Sequence, residues 1–476
     1  MGGERYFSIF TLGCKLNQLE SEAIADSFKK AGFRLLPWDS CSSEPRLIIV
    51  NTCTVTSKAD QKARRMIRKL LNDNPASCVI VTGCYAQLDT EEIMSLDDQG
   101  GYAAAKRLFV LGGEGAASSA TAAASATAAA AKSALLGLPE YLLGATSDEP
   151  LSFLLESWMQ NIASNVNNDS LFSFKPDDFS FHSRGYLKIQ DGCDNACAYC
   201  RVRLARGRSV SLKKETVLER LRAFEEKGCN ELFITGVNIT QYNSEGIGLA
   251  GLLKLLLDGT NNIAIRLSSL ELERIDDKLA EVIAHPRIRP HFHLSIQSGS
   301  DAILQGMGRA YNVNTVEKAI TLLRSAKDNP FLACDIIAGF PGETEEEFAR
   351  TLGFCEKARF AWIHAFPYSR RPGTAAFSFG DPVRDLDKTR RVVVLGELAL
   401  RGKREYVKAW LEKELAAVVE KTPCGANRCK AVSENYLKLL VNCNGEAPPP
   451  GSVIRCTPVS VCEEENIDAV AGIVYS

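Results

Sequence analysis

Three cysteines within a stretch of eight residues form the part of the sequence best suited to chemistry. Cys193, Cys197 and Cys200 have the spacing C-x-x-x-C-x-x-C. Thiolates are the usual protein ligands of iron–sulfur clusters, and three of them leave one iron of a cubane without a protein ligand. A catalytic metal site needs an open coordination position of that kind. The motif therefore predicts a catalytic 4Fe–4S cluster with one free iron.

Two other interpretations of this motif are a zinc knuckle and three incidental cysteines. Zinc would need a fourth ligand, and the nearest histidine, His182, lies upstream and fits no usual finger spacing. Tyr199 directly precedes the last cysteine, and a strand-like segment precedes the motif. Both features favour a loop that resembles those of radical-SAM enzymes. In those enzymes the amino and carboxylate groups of S-adenosylmethionine (SAM) chelate the free iron. An electron from the cluster then cleaves the sulfonium to give a 5′-deoxyadenosyl radical.

Three further cysteines occupy equivalent places in the first hundred residues. Cys14, Cys53 and Cys84 each follow directly after an apolar, strand-like run. Ligands of open α/β sheets gather at the carboxyl ends of parallel strands, so these cysteines are expected to converge. The alternative is that they are buried residues at strand ends.

The elements that must position these cysteines divide the chain into four segments. Alternating strand-like and helical patterns in residues 1–113 predict a parallel α/β domain. Low-complexity and irregular sequence predicts a linker at 114–182, with no chemistry of its own. Six strand-like runs separated by helical patterns predict a partial (βα)6 TIM-like barrel at 183–410. Short strands with Gly/Pro turns predict a small β-barrel at 411–476.

Polar residues that follow the predicted barrel strands are candidates for holding the cofactor. By analogy with α/β barrels, the turns after the strands share one rim. Each of these residues could instead be a structural turn residue. With the tyrosine of the motif, the candidate SAM-binding residues are Tyr199, Asn238, Glu271, Gln297 and Arg309.

Charge is informative through its distribution, because 56 Lys+Arg nearly balance 58 Asp+Glu. Eight basic residues against two acidic ones lie between Arg184 and Lys214, and six against one lie between Lys58 and Lys69. Positive stripes attract polyanions, although exposed helix faces often look the same. Residues 401–476, which include the predicted small barrel, contain ten basic and ten acidic residues. The candidate phosphate contacts are Arg206, Arg208, Arg370 and Arg371.

The chain lacks an apolar run long enough to span a bilayer, and its N-terminus lacks the blocks of a secretory signal. We therefore expect a cytoplasmic protein without membrane partners. In a reducing compartment, 16 cysteines favour metal ligation over a disulfide framework.

Several segments together closely resemble the radical-SAM methylthiotransferases. They are the contexts of the three early cysteines, TLGCKLNQLESE, VNTCTV and VTGCYAQ, and the segments YLKIQDGCDNACAYC, HLSIQSGSD, DIIAGFPGET and FPYSRRPGTAA. The resemblance implies that Cys14, Cys53 and Cys84 hold a second 4Fe–4S cluster, and that the small barrel is an RNA-binding TRAM domain. It also implies two SAM molecules per turnover, an external one-electron reductant and a sulfur donor.

Lys15 and Asn17, which follow the first cysteine, resemble the branch that modifies N6-threonylcarbamoyladenosine at tRNA position 37. The expected partner is then a tRNA anticodon stem-loop. The alternatives are an isopentenyladenosine in tRNA, a ribosomal-protein aspartate, or an iron–sulfur RNA-binding protein without turnover. The segment from Arg201 to Gly207 departs from the family pattern by lacking its proline, and we expect cluster binding to persist there.

Overall fold

The structure is a computed structural model that describes residues 5–37, 44–98, 106–112, 132–145, 149–162, 171–380, 383–422, 424–462 and 464–474. Five strands form its first sheet: β1 (Tyr6–Thr11), β2 (Arg34–Leu35), β3 (Leu47–Thr52), β4 (Cys78–Gly83) and β5 (Leu108–Val110). All pairs in the order β2-β1-β3-β4-β5 are parallel, as the sequence predicts. The helices of this domain are α1 (Lys15–Lys30), α2 (Ser57–Asp73), α3 (Cys84–Leu88) and α4 (Thr90–Asp98).

The sheet is covered on both faces, which explains why its strands are continuous apolar runs. Successive residues of β3 belong to different cores. Ile49 packs in the same core as Phe7, whereas Ile48 and Val50 pack in the core of Ile67 from α2. The sheet is therefore a rigid support for the loops at its carboxyl edge.

The structure differs from the predicted linker in residues 132–162. Two helices form there, α5 (Leu138–Gly144) and α6 (Leu151–Ile162), after a 3₁₀ turn at Ala134–Gly137. Leu135, Leu155 and Trp158 are buried in the core that contains Phe7. The apolar residues of this segment recur at helical spacing, so they form one apolar stripe that packs against the sheet. The alanine-rich tract that precedes the segment obscures this pattern in the sequence. Most of that tract, 113–131, lies outside the described residues.

The central domain is the predicted partial barrel of six parallel strands. Its two halves have the strand orders β12-β9-β6 and β13-β14-β15, joined by the isolated parallel bridge of Leu270 and Leu294. Buried side chains between strands and helices form one large core. Its strands, with four short ones in loops, are β6 (Gly185–Lys188), β7 (Gln190–Asp191), β8 (Val210–Ser211), β9 (Glu231–Thr235), β10 (Asn243–Ser244), β11 (Ile247–Gly248), β12 (Ala264–Leu267), β13 (His291–Gln297), β14 (Phe331–Ala338) and β15 (Trp362–Pro367).

Eight helices accompany these strands, and 3₁₀ turns occur at Ile239–Gln241, Leu272–Arg274 and Ala375–Phe377. Side-chain N-caps fix the start of several helices; Asp276, for example, accepts the Leu279 N–H at 2.9 Å. The helices are α7 (Val202–Arg206), α8 (Lys214–Glu226), α9 (Leu249–Asp258), α10 (Asp277–Ile283), α11 (Asp301–Gly306), α12 (Val313–Ala326), α13 (Glu345–Ala358) and α14 (Asp385–Lys408).

The C-terminal segment is a closed five-stranded barrel, which confirms the predicted small β-barrel. The sequence pattern misses one of its strands, β17, because RCKAVS has no continuous apolar run. Phe331 and Tyr406 of the central domain share the core of this barrel. Its strands, in the order β16-β17-β18-β20-β19, are β16 (Leu415–Val419), β17 (Arg428–Ser433), β18 (Lys438–Asn442), β19 (Val453–Val461) and β20 (Ala469–Val474). None of the described helices has both the length and the apolar character needed to cross a membrane.

Candidate active site

The motif of three closely spaced cysteines occupies the loop between β7 and α7. Gly192 begins this loop with φ +70°, and a Cβ at that position would collide with the Arg208 carbonyl. Backbone hydrogen bonds hold the loop in place: Cys193 N–H donates to the Gly207 carbonyl at 3.0 Å, and Ala198 N–H to the Met307 carbonyl at 2.9 Å. The loop is therefore positioned by contacts on both sides.

Each of the three sulfur atoms has its own polar neighbour. The Arg309 guanidinium donates to Cys197 Sγ at 3.0 Å, Val202 N–H contacts Cys200 Sγ at 3.4 Å, and Asn238 Nδ2 lies 3.8 Å from Cys193 Sγ. Burial raises the pKa of all three thiols, that of Cys200 to about 12. Because metals bind the thiolate form, ligation here must displace the thiol protons.

The donor set fits a cubane better than a single zinc ion. Thiolates that share one zinc must lie within about 4 Å of each other, because Zn–S bonds are ≈2.3 Å long. Within the described ranges, no three His, Cys, Asp or Glu side chains come close enough to hold one metal ion. In a cubane each thiolate binds a different iron, so three thiolates can hold a 4Fe–4S cluster without meeting at one metal ion.

A cavity of about 1090 Å³, counting its open side, lies beside the cysteine loop. Besides the three cysteines, its wall contains all five predicted SAM-binding residues, which are Tyr199, Asn238, Glu271, Gln297 and Arg309. The structure thus brings the loop and the turns after several barrel strands to one space.

Arg309 is the centre of the polar groups in this cavity. It forms a close ion pair with Glu271, and its Nε donates to the Tyr311 hydroxyl at 2.9 Å. Its Nη1 lies 3.4 Å from the Tyr199 hydroxyl. Burial raises the pKa of Glu271 to about 7, against the opposing effect of Arg309. A paired cation and carboxylate beside an amide can bind the charged amino-acid end and the hydroxyls of a ligand such as SAM.

The second set of cysteines lies at the carboxyl ends of three neighbouring strands. Cys14 follows β1 and caps α1, Cys53 follows β3, and Cys84 begins α3 directly after β4. Gly13 has φ +112°, and a Cβ there would lie 2.5 Å from the Cys53 Cβ. Burial raises the pKa of Cys53 to about 12, and the thiols of Cys14 and Cys84 add to the shift. The sheet therefore brings together three cysteines that are distant in sequence.

The loop after Cys53 borders the same cavity as the three closely spaced cysteines. The residues that directly follow Cys53, namely Thr54, Val55 and Thr56, are part of the wall of the cavity beside the radical-SAM-type loop. A ligand in that cavity can therefore contact the central barrel and the cysteine loops of the first domain at the same time.

Comparison with known proteins identifies the family. Residues 6–101 match the Uncharacterized protein family UPF0004, and residues 187–355 match the Radical SAM superfamily. A threonylcarbamoyladenosine tRNA methylthiotransferase MtaB of Treponema pallidum (strain Nichols) is 39% identical, over 94% of this chain and 97% of that protein. The protein of that name from Thermotoga maritima is 33% identical, over 87% and 86% of the two chains. The chain belongs to the MtaB family of radical-SAM methylthiotransferases.

The methylthiotransferase assignment confirms the predicted resemblance and makes this chain a transferase. Among solved structures, the radical SAM methyltransferase TsrM from Kitasatospora setae, with cobalamin and a 4Fe–4S cluster bound, is 13% identical. It matches with a TM-score of 0.48 and covers 79% of this chain and 77% of its own.

Two of the four arginines expected at RNA phosphates lie in buried ion pairs of this methylthiotransferase. Arg206 donates to Cys84 Sγ at 3.2 Å and pairs with Glu20 at 3.1 Å and Asp191 at 3.2 Å. Arg371 pairs with Asp60 at 2.6 Å. Both guanidinium groups pair with carboxylates of the first domain, Glu20 and Asp60. They therefore join that domain to the central barrel.

The other two arginines are exposed. Arg208 lies on the surface just after the cysteine loop. Arg370 stacks on the Phe377 ring, with its guanidinium carbon 4.5 Å from the ring centroid, and donates to the Phe377 carbonyl at 2.9 Å. These two guanidinium groups remain candidates for phosphate contacts.

The ion pairs around Arg206 include buried charged residues beside the site that the sequence analysis missed. Lys132 pairs with Glu20, and Lys188 pairs with Asp191. Burial opposes ionisation of Asp191, but Lys188 and Arg206 hold its pKa below the usual range. Lys132 lies in the segment predicted to be a linker without chemistry. No local motif marks these residues, because their partners come from distant parts of the chain.

Proposed function

We propose that this methylthiotransferase converts N6-threonylcarbamoyladenosine at tRNA position 37 to its 2-methylthio derivative. The observation that carries the proposal is that one cavity is lined by Cys193, Cys197 and Cys200 and by the residues that directly follow Cys53, on a chain 39% identical to a relative named for that reaction. An unactivated aromatic C–H bond resists acid–base chemistry, so cofactors must supply the reactivity.

In this proposal each set of residues has one task. Cys193, Cys197 and Cys200 hold one 4Fe–4S cluster, and Cys14, Cys53 and Cys84 hold a second. The first cluster with SAM supplies the radical that removes hydrogen, while the second cluster presents sulfur and another SAM supplies its methyl group, two SAM molecules per turnover. The residues proposed to bind SAM in the shared cavity are Tyr199, Asn238, Glu271, Gln297 and Arg309.

The remaining partners follow from the same chemistry. The reaction requires an external one-electron reductant and a sulfur donor. We propose that Arg208 and Arg370 contact phosphates of the anticodon stem-loop, because their guanidinium groups are exposed. The C-terminal barrel acts as a TRAM-like RNA-binding domain in this proposal, and the enzyme works in the cytoplasm, where tRNA is modified.

Mass spectrometry of tRNA nucleosides tests the proposal. The wild-type chain is expressed in cells that lack their own enzyme of this kind, with Cys197→Ala as the matched inactive variant. We expect 2-methylthio-N6-threonylcarbamoyladenosine only with the wild type. The proposed substrate would be contradicted if the cells that express the wild-type chain gained methylthiolated isopentenyladenosine or a methylthiolated ribosomal-protein aspartate instead. It would also be contradicted if they gained no new product relative to the Cys197→Ala cells.

A further inference from the structure

A second large cavity lies between the central barrel and the C-terminal barrel. It encloses about 1900 Å³, counting its open side. Its wall combines Lys15 of the first domain, His293 and His364 of the central barrel, and Tyr436 and Asp468 of the C-terminal barrel. All three domains therefore contribute to one space.

This cavity and the one beside the cysteine loop lie along the same strands of the central barrel. Side chains two apart on a strand point to the same face. On β14, Ala333 lines the second cavity, whereas Asp335 and Ile337 line the first. On β15, His364 lines the second cavity and Phe366 the first. One inner face of the central barrel thus borders both spaces, so a substrate that extends along this face from the first cavity would enter the second.

Lys15 is a cation without an anionic partner on the wall of this second cavity. It is the first residue of α1 and directly follows Cys14. Its ammonium lies 4.1 Å from the centroid of the Phe233 ring and 6.0 Å from that of Tyr436. In the part of the chain that the structure describes, the Lys15 ammonium forms no hydrogen bond or ion pair.

The groups around Lys15 do not compensate its charge: burial lowers the pKa of its ammonium to about 7, and Arg266 and Arg184 add to that shift. Arg184 and Arg266 lie over the same Phe233 ring, at 5.5 and 5.6 Å. Both guanidinium groups, together with Arg289, surround the single carboxylate of Glu231, at 3.7, 2.9 and 2.7 Å. That carboxylate is therefore already shared among three cations.

Lys403, on the same cavity wall, provides a contrast. Its ammonium pairs with Asp468 at 3.2 Å. Of these two lysines, Lys15 is the one whose charge is left for a ligand.

His364 supplies a hydrogen-bond donor near this cation. The Trp362 indole N–H donates to His364 Nδ1 at 3.3 Å, so Nδ1 is an acceptor and the hydrogen of the neutral ring is on Nε2. The cavity wall therefore offers a cation and an N–H donor, which together suit a carboxylate with a neighbouring polar group.

We propose that Lys15 binds the carboxylate of the amino-acid group on N6 of the substrate adenosine and so selects acidic over apolar substituents. The inference rests on the proposed function and names the residue that reads the threonyl end of the substrate. A partly buried ammonium that faces an apolar substituent loses solvent without gaining a partner, so an isopentenyl group is disfavoured there.

Binding of synthetic anticodon stem-loops to the cluster-loaded enzyme tests this assignment. Three hairpins carry N6-threonylcarbamoyladenosine, its threonine carboxamide analogue, or unmodified adenosine at the same position, and fluorescence anisotropy gives each Kd. We expect the wild type to bind the carboxylate hairpin about tenfold more tightly than the carboxamide one, as is usual for a desolvated ion pair. Equal affinity for these two hairpins in the wild type would overturn the assignment, whatever any variant does.

The variant arm compares Lys15→Met with Lys15→Arg and with Lys278→Met, an exposed lysine on α10. Lys15→Met should abolish the preference for the carboxylate hairpin, and Lys15→Arg should retain part of it. Affinity for the unmodified hairpin and iron content should stay within about twofold of wild type in all three. A preference that persists in Lys15→Met would also overturn the assignment.

A fourth hairpin separates this inference from the proposed function. It carries N6-isopentenyladenosine at the same position. If the wild type binds it as tightly as the threonylcarbamoyl hairpin, the proposed substrate is wrong. If the wild type prefers the carboxylate hairpin to the carboxamide one and only Lys15→Met loses this preference, both the proposed substrate and the role of Lys15 are supported.

Discussion

The two sets of cysteines are brought together in different ways. Cys193, Cys197 and Cys200 belong to one loop, whose spacing alone determines the ligand set. Cys14, Cys53 and Cys84 come from three strands, and only the sheet order places them together. The first site is therefore encoded locally, and the second depends on correct packing of a whole domain. Substitutions that disturb the first domain should remove one cluster and spare the other.

Removal of one cysteine from each set should produce the largest effects and separate their roles. Cys197→Ala and Cys53→Ala should each lower methylthiolation by about a thousandfold or more. Each should also reduce bound iron from about eight to about four atoms per chain, since one cubane is lost. Only Cys53→Ala should still cleave SAM, as measured by chromatography of 5′-deoxyadenosine. SAM cleavage by Cys197→Ala would contradict the assignment of the local set.

Gly13→Ala should damage the dispersed site without replacing any of its cysteines. The added Cβ would lie 2.5 Å from the Cys53 Cβ, on a backbone with φ +112°. We expect loss of the second cluster and a decrease of about 3 kcal/mol in the free energy of unfolding. Gly32→Ala is the matched control, because its φ of +83° is also positive but no atom lies within 4 Å. That control should cost about 1 kcal/mol and keep both clusters; equal iron loss in both variants would contradict the account.

Arg206→Met tests the link between the two sets. Arg206 contacts Cys84 of one set and pairs with Asp191, two residues before the other. Loss of a buried ion pair typically costs about 3 kcal/mol, so urea denaturation should show a clear decrease in the free energy of unfolding. Arg208→Met, two residues away and exposed, should change it by less than about 0.5 kcal/mol. Similar effects of the two substitutions would show that the buried pairs do not stabilise the site.

The smallest expected effect concerns RNA binding. Arg370→Met should weaken binding of the anticodon stem-loop a few-fold and lower the slope of log Kd against log salt concentration by about 1. The methionine retains apolar contact with Phe377, so thermal stability should change little. Lys278→Met, on the far surface of the barrel, serves as the control. An unchanged salt dependence in Arg370→Met would remove Arg370 from the RNA interface.

Much of the fold could be predicted because apolar strand runs and polar turns alternate clearly. The six barrel strands, for instance β14, lie where the sequence places them. The five candidate SAM-binding residues lie at or after the ends of several strands, yet they line one cavity, because barrel topology places the ends of its strands on one rim.

The failures have equally specific causes. Leu155 and Trp158 pack on the first sheet, but the preceding alanine-rich tract suggested a linker through the whole segment. The sequence pattern did not predict strand β17, because polar and apolar residues are mixed in RCKAVS and it has no continuous apolar run. Arg206 and Arg371 looked like RNA contacts because a sequence shows their charge and not their partners, Glu20 and Asp60, which lie in another domain.

Iron analysis with Mössbauer spectroscopy of the anaerobically reconstituted wild type tests the central claim most directly. The claim is that each set of three thiolates holds a cubane with one iron free of protein ligands. We predict about eight irons per chain as two 4Fe–4S clusters, with SAM perturbing a single iron site of one cluster. Zinc in the loop, about four irons in total, or spectra unchanged by SAM would contradict it.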